Sequence, residues 1–231
     1  MNDSPNQPPP VPSPHTSNLK PQTSDLVLLY GGTFDPPHLA HVAQPNRVRQ
    51  AVHADAVIYM PAAISPLKRD RPPTPAHHRL AMLRLALADH PWAILRTDEL
   101  DRAADGRPSY TIDTVTALRA ELPESTRLRL LIGADQLRLF DQWHESEKII
   151  ALAEPLVMVR PPDTAESILN ALPSDQRPAW QPRLVNIEPM DISSTAVRSA
   201  IIEGAPATDL LEPNVHNYIL LNSLYRTIEN L

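Results

Sequence analysis

Short apolar runs alternate with amphipathic stretches along most of the chain. Leu26–Tyr30 is apolar on both faces, and Ala56–Met60, Trp92–Leu95, Leu128–Ile132, Leu156–Val159 and Leu184–Ile187 read the same way. Such runs are expected of strands buried inside a parallel sheet. Between them the apolar spacing turns helical. A first helix is predicted from His38 or Leu39, with Leu39, Val42, Ala43, Val48, Ala51 and Val52 marking its buried face. Pro45 falls inside it, where it removes one hydrogen bond and should bend the helix. Arg79–Ala88 carries Leu80, Leu83 and Leu87 on one face. Asp98–Arg107 is charged and reads as a loop, after which Ser109 is a credible N-cap for a helix burying Ile112, Val115 and Leu118. Short helical pieces are expected around Leu137 and Glu147, then helices at Ala165–Leu172 and Val215–Leu224. Between those two, Ser193 or Ser194 caps a helix that buries Val197 and Ile201 and stops at Gly204. Strand and helix in alternation predict an α/β fold with a doubly wound parallel sheet, whose ligands bind beyond the carboxyl ends of the strands.

Composition narrows the class. The chain has 231 residues, with 27 Pro, 5 Gly, no Cys and a net charge of -6. Seven of the prolines lie before Asp25, at Pro5, Pro8, Pro9, Pro10, Pro12, Pro14 and Pro21. Residues 1–24 are therefore expected to be a disordered, Pro-rich tail, and residues 25–231 a single domain. The acidic balance argues against a general nucleic-acid or membrane-surface binder. No apolar run approaches the roughly 20 residues that span a bilayer. Absence of Cys excludes disulfides and is compatible with a cytoplasmic protein. A homo-oligomer is left open.

The most informative stretch follows the first strand: Gly31-Gly32-Thr33-Phe34-Asp35-Pro36-Pro37-His38-Leu39-Ala40-His41. The double glycine allows the backbone to leave the strand and bring its N–H groups close to a ligand. Asp35-Pro36-Pro37 is turn chemistry. His38 and His41, three residues apart at a helix start, share one face and lie where free N–H groups and the helix dipole favour an anion. A metal pair or two surface histidines would leave the glycine-containing loop unexplained, so a phosphate chain is the preferred ligand. A second candidate anion site is Ile192-Ser193-Ser194-Thr195-Ala196-Val197-Arg198, with hydroxyls at a helix N-cap and a guanidinium one turn in. By itself it reads as an ordinary capped helix.

Gly31–His41 resembles the nucleotidylyltransferase form of the His-x-Gly-His signature, in the variant of the bacterial nicotinate-mononucleotide adenylyltransferases. Ala40 stands where that family carries Gly. Ile192–Arg198 resembles the family's C-terminal Ile-Ser-Ser-Thr-x-x-Arg motif, and the resemblance spans nearly all of Asp25–Leu231. It implies a Rossmann-like domain. It implies an ATP site of Gly31, Gly32, Thr33, Phe34, His38, His41, Ser194, Thr195 and Arg198, with His38, His41 and Arg198 carrying catalysis. For the acceptor it implies Lys68, Tyr110 and Thr111 at a helix start, Gly133 and Asp135 after a strand, and Trp143 as an aromatic platform. Arg160, after the fifth strand, is a further residue that could face the site.

The reaction implied by the resemblance joins ATP and nicotinate mononucleotide into deamido-NAD and pyrophosphate. The attacking phosphate is already an anion, so positioning and charge stabilisation are the expected means. Mg²⁺ would enter with the triphosphate, with no protein metal site. Enzymes acting on nicotinamide mononucleotide, phosphopantetheine or glycerol phosphate, a non-catalytic ATP-binding regulator, and a relative of class I tRNA synthetases are the alternatives. The last is disfavoured because the chain lacks a basic surface for tRNA.

Overall fold

Six apolar runs pair into one parallel sheet in the computed structural model, which describes residues 25–63, 72–104 and 110–226. The strands are β1 (Leu26–Gly32), β2 (Ala56–Pro61), β3 (Ala93–Leu95), β4 (Arg127–Gly133), β5 (Leu156–Val159) and β6 (Leu184–Asn186). Their order is β3-β2-β1-β4-β5-β6, the doubly wound arrangement in which two halves diverge between β1 and β4. Among the described residues the helices are α1 (Leu39–Ala51), α2 (Ala76–Leu87), α3 (Asp98–Ala104), α4 (Thr111–Glu121), α5 (Ala134–Leu137), α6 (Ser146–Leu152), α7 (Ala165–Asn170), α8 (Arg177–Trp180), α9 (Ser194–Ile202) and α10 (Pro213–Leu221).

Side chains alternate across the central strands, and this divides the core in two. Leu26, Leu28 and Tyr30 of β1 join Val57 and Tyr59 of β2 on one face, against Val48, Met82, Leu83, Val197, Val215 and Ile219. Val27, Leu29, Ile58 and Met60 face the other way, onto Ile112, Val115, Leu118, Ile149 and Ile168. The first and last helices therefore share one layer. That is how a motif near residue 38 and another near residue 198 come to the same end of the sheet.

Some expectations change. Asp98–Ala104 is helical rather than a loop, with Asp98, Glu99 and Asp101 in its first turn, where acidic groups favour a helix N-terminus. Arg96 anchors it through Asp98 at 2.6 Å and Glu121 at 2.7 Å. The helix α4 starts at Thr111 with Tyr110 at its N-cap, while Ser109 lies outside the described residues. The short helix α8 was not anticipated. Leu80 is only half-buried, and the inward face of α2 is Arg79, Met82, Leu83, Ala86 and Leu87. Ser193 caps α9, and Gly204, at φ 69°, closes it as expected. No helix among the described residues is long and apolar enough to cross a membrane.

Arg79, read from the sequence as part of a packing helix, is 1% exposed. Its guanidinium donates to the carbonyls of Thr33 at 2.7 Å, Ala62 at 2.8 Å, Thr74 at 2.9 Å and Ala63 at 3.3 Å. Burial weakens its hold on the proton, and the nearby Asp35 carboxylate strengthens it. Replacing Arg79 by Met leaves these carbonyls without their charged donor. Stability is expected to fall by on the order of 3 kcal/mol, read as a lower urea midpoint.

Candidate active site

At the carboxyl end of the sheet the two halves come apart. The β1–β4 ladder stops at Tyr30 and Leu131, whereas β1 continues beside β2 to the pair Gly32 and Pro61. Gly31 and Gly32 stay in the strand, so they do not make the turn. The turn is made by Phe34, at φ 51°, and by Asp35–Pro36, which is cis. Space at Gly32 is tight: a Cβ there would stand 3.0 Å from the Phe34 ring. Phe34 is 1% exposed, and its ring packs edge-on to Tyr30 and His41.

His38 is the N-cap of α1, and its ring lies on that of His41 with centroids 3.7 Å apart. The backbone N–H of His38 donates to Nδ1 of His41 at 3.2 Å. This bond fixes the neutral His41 tautomer, with its proton on Nε2. His38 is 5% exposed, and its Nδ1 is buried without a hydrogen-bond partner. Burial, aided by the Arg160 cation, lowers its pKa from 6.5 to about 4. Both imidazoles are thus arranged as neutral donors at a helix start. Among the described residues no third His, Cys, Asp or Glu joins them in a group able to hold a metal ion.

The second motif meets this loop directly. Arg198 donates through Nη1 to the Asp35 carbonyl at 2.6 Å and through Nη2 to Oγ1 of Thr195 at 3.2 Å. Ser194 donates to the Pro36 carbonyl at 2.9 Å. The Asp35 carboxylate accepts from the Thr74 N–H at 3.2 Å and from the Tyr225 hydroxyl at 2.6 Å. Neither Arg79 nor Tyr225 stood out in the sequence, because a lone Arg on a helix and a lone Tyr after one usually face solvent or core. No local signal could have found them.

Arg160, following β5, lies close to α1. It influences both His38 and Tyr30, and its Nη1 donates to Oε1 of Gln44 at 3.3 Å. Burial raises Tyr30 to about 12, with Arg160 opposing and Asp135 reinforcing the shift. A Cβ at Gly133 would lie 2.5 Å from the Asp135 carboxylate, an exposed side chain that would have to turn aside. Tyr110, at the start of α4, is 41% exposed, and its ring lies 4.8 Å from that of His144. The adjoining Trp143 rests on Phe140 at 5.2 Å. Tyr110, Thr111 and Trp143 are therefore gathered on the β4 side. Lys68 lies outside the described residues.

Residues 29–200 match the cytidylyltransferase-like family. A protein of Stenotrophomonas maltophilia named probable nicotinate-nucleotide adenylyltransferase is 37% identical over 218 residues, covering 87% of this chain and 97% of its own. One of the same name from Roseiflexus is 39% identical over 206 residues, covering 88% of this chain and all of its own. The chain belongs to the nicotinate-nucleotide adenylyltransferase family of nucleotidyltransferases. Its fold is shared with the Plasmodium falciparum nicotinic acid mononucleotide adenylyltransferase, solved with NaAD. The TM-score is 0.68 at 20% identity over 87% of this chain and 97% of that one.

The low His38 value sets a pH dependence in this member of the family. Between about pH 6.5 and pH 4 the unfolded chain binds a proton that the folded chain refuses. Stability is complete above that window and falls as pH drops through it, by about 3 kcal/mol in all. Replacing His38 by Gln is expected to flatten this slope in urea titrations between pH 7 and pH 4.

Proposed function

We propose that this chain transfers the adenylyl group of ATP to nicotinate mononucleotide, forming deamido-NAD and pyrophosphate in NAD biosynthesis. The observation that carries the reading is the junction of the two motifs: the guanidinium of Arg198 sits on the carbonyl of Asp35, three residues before the stacked imidazole of His38. Donors from two helix starts thereby surround one place, which suits a triphosphate. The relatives named above act as the functional guide, and the same chemistry was implied by the signature residues.

In the proposed reaction the 5′-phosphate oxygen of the acceptor attacks the α-phosphorus of ATP in line. The bond from that phosphorus to the bridging oxygen breaks, and pyrophosphate leaves with the electron pair. No protein base is required for an anionic nucleophile. The Nε2–H of His41 donates to a phosphate oxygen whose charge rises in the transition state, and His38 donates beside it. A neutral imidazole suits this role, because it holds its proton without ion-pairing to the ground state. Arg198 and Thr195 meet the outgoing phosphates. Mg²⁺ arrives with the triphosphate as part of the nucleotide substrate and keeps several waters. At the acceptor end the N–H groups at the start of α4, near Tyr110 and Thr111, receive the pyridine carboxylate, and Trp143 supplies a flat surface for the ring. Gly133 and Asp135 receive the ribose, and Lys68 meets the acceptor phosphate.

The test is pyrophosphate release with ATP and either nicotinate mononucleotide or its amide. Release is expected to be markedly faster with the acid. Equal rates would refute the carboxylate subsite, and ATP binding without release on either acceptor would leave a nucleotide-binding regulator. Replacing His38 or His41 by Ala is expected to lower kcat by about 10²–10³, measured with the acid at saturating ATP.

A further inference from the structure

Pro45 lies in the interior of α1, with no N–H to give to the carbonyl four residues earlier. That carbonyl belongs to His41. Pro45 is buried, and a carbonyl that loses its helix N–H calls for another donor. The Tyr59 hydroxyl supplies one, donating to the His41 carbonyl at 3.1 Å. Tyr59 belongs to β2 and is completely buried, its ring held among Tyr30 at 5.7 Å, Phe34 at 6.1 Å and Trp92 at 6.4 Å. Burial keeps its phenol well above the ordinary value, so the hydroxyl retains its proton and remains a donor. Its reach from the sheet is fixed by a strand paired on both sides.

We infer that Tyr59 is a positioning residue for His41, a sheet-borne hydroxyl that replaces the helix N–H removed by Pro45. The bond acts on the main chain of the residue whose ring is proposed to touch phosphate. With the Nδ1 contact from the His38 N–H, it holds His41 at both its backbone and its ring. An ordinary helix would tie this carbonyl only to its own next turn. Here it is tied to the sheet that also carries the signature loop, so His41 keeps register with Gly32 and Thr33. The catalytic part of this inference rests on the assignment of His41 made above, whereas the positioning of its ring does not.

The two substitutions have complementary chemistry. Tyr59→Phe removes the hydroxyl and preserves the ring. Pro45→Ala returns the helix N–H, and a carbonyl has room for both donors. Four proteins are compared: wild type, Tyr59→Phe, Pro45→Ala and the double variant. Each is checked for folding by its thermal midpoint, and each is measured for kcat, for KM of ATP and for the ring nitrogen NMR signals of His41. Tyr59→Phe is expected to lower kcat about tenfold with KM changed by less than about threefold, and to mix the His41 tautomers, since small displacements of a positioned group are costly. Pro45→Ala is expected to stay within about threefold of wild type. In the double variant kcat and the Nε2–H signature should return to the Pro45→Ala level, although the hydroxyl is still missing. Wild-type ring signals in Tyr59→Phe, or a double variant as perturbed as Tyr59→Phe, would overturn the inference. Ring signals that follow the cycle while kcat stays constant in all four would uphold the positioning and refute the catalytic assignment of His41.

Discussion

The backbone carbonyls of the Thr33–Pro36 turn need donors, and the rest of the site follows from where those donors come from. Once β1 leaves the ladder, its peptide groups lose their strand partners, and buried carbonyls without donors are costly. Arg79 of α2 takes Thr33, Arg198 of α9 takes Asp35, and Ser194 takes Pro36. The demand of one loop for hydrogen bonds thus recruits helices from opposite ends of the sequence. It also brings two cations to the neighbourhood of a helix N-terminus. Charged and hydroxyl donors are gathered there as a by-product of satisfying main-chain oxygens.

The sheet contributes the opening into which these groups look. Pairing between β1 and β4 ends earlier than pairing between β1 and β2, so the crevice begins just above Tyr30. The glycines at the rim serve close contact more than flexibility. Gly32 admits the Phe34 ring and Gly133 admits the Asp135 carboxylate, and neither has a positive φ. Tyr30 packs edge-on against Phe34 and Tyr59 beneath, and burial together with the Arg160 cation makes His38 resist protonation.

Much of this was legible in the residues themselves. The buried strands announce themselves as apolar runs, and Leu156–Val159 needs no adjustment at either end. The signature from Gly31 to His41 and the capped helix at Ser193 carry local information, so their positions followed from local chemistry. Arg79 did not, because its burial depends on carbonyls as far as 46 residues away in the chain. Pro45 was a puzzle for the same reason: its remedy, Tyr59, sits on another element. Asp98–Ala104 was misread because charge was weighed as solvation, when three acids in a first turn also mark a helix start. The turn at Asp35-Pro36 was legible as turn chemistry, whereas the positive φ of Phe34 was not, and the two glycines credited with leaving the strand stay in it.

The hydrogen bond from Tyr225 to Asp35 joins residues 190 apart in the chain. Synthesis runs from the amino end, so the ribosome delivers the Thr33–Pro36 turn long before it delivers the tyrosine that bonds to it. Until then Asp35 lacks the Tyr225 donor and keeps the Thr74 N–H alone among these two partners. This contact between the two ends of the described fold therefore forms late in translation, once nearly all of it has emerged.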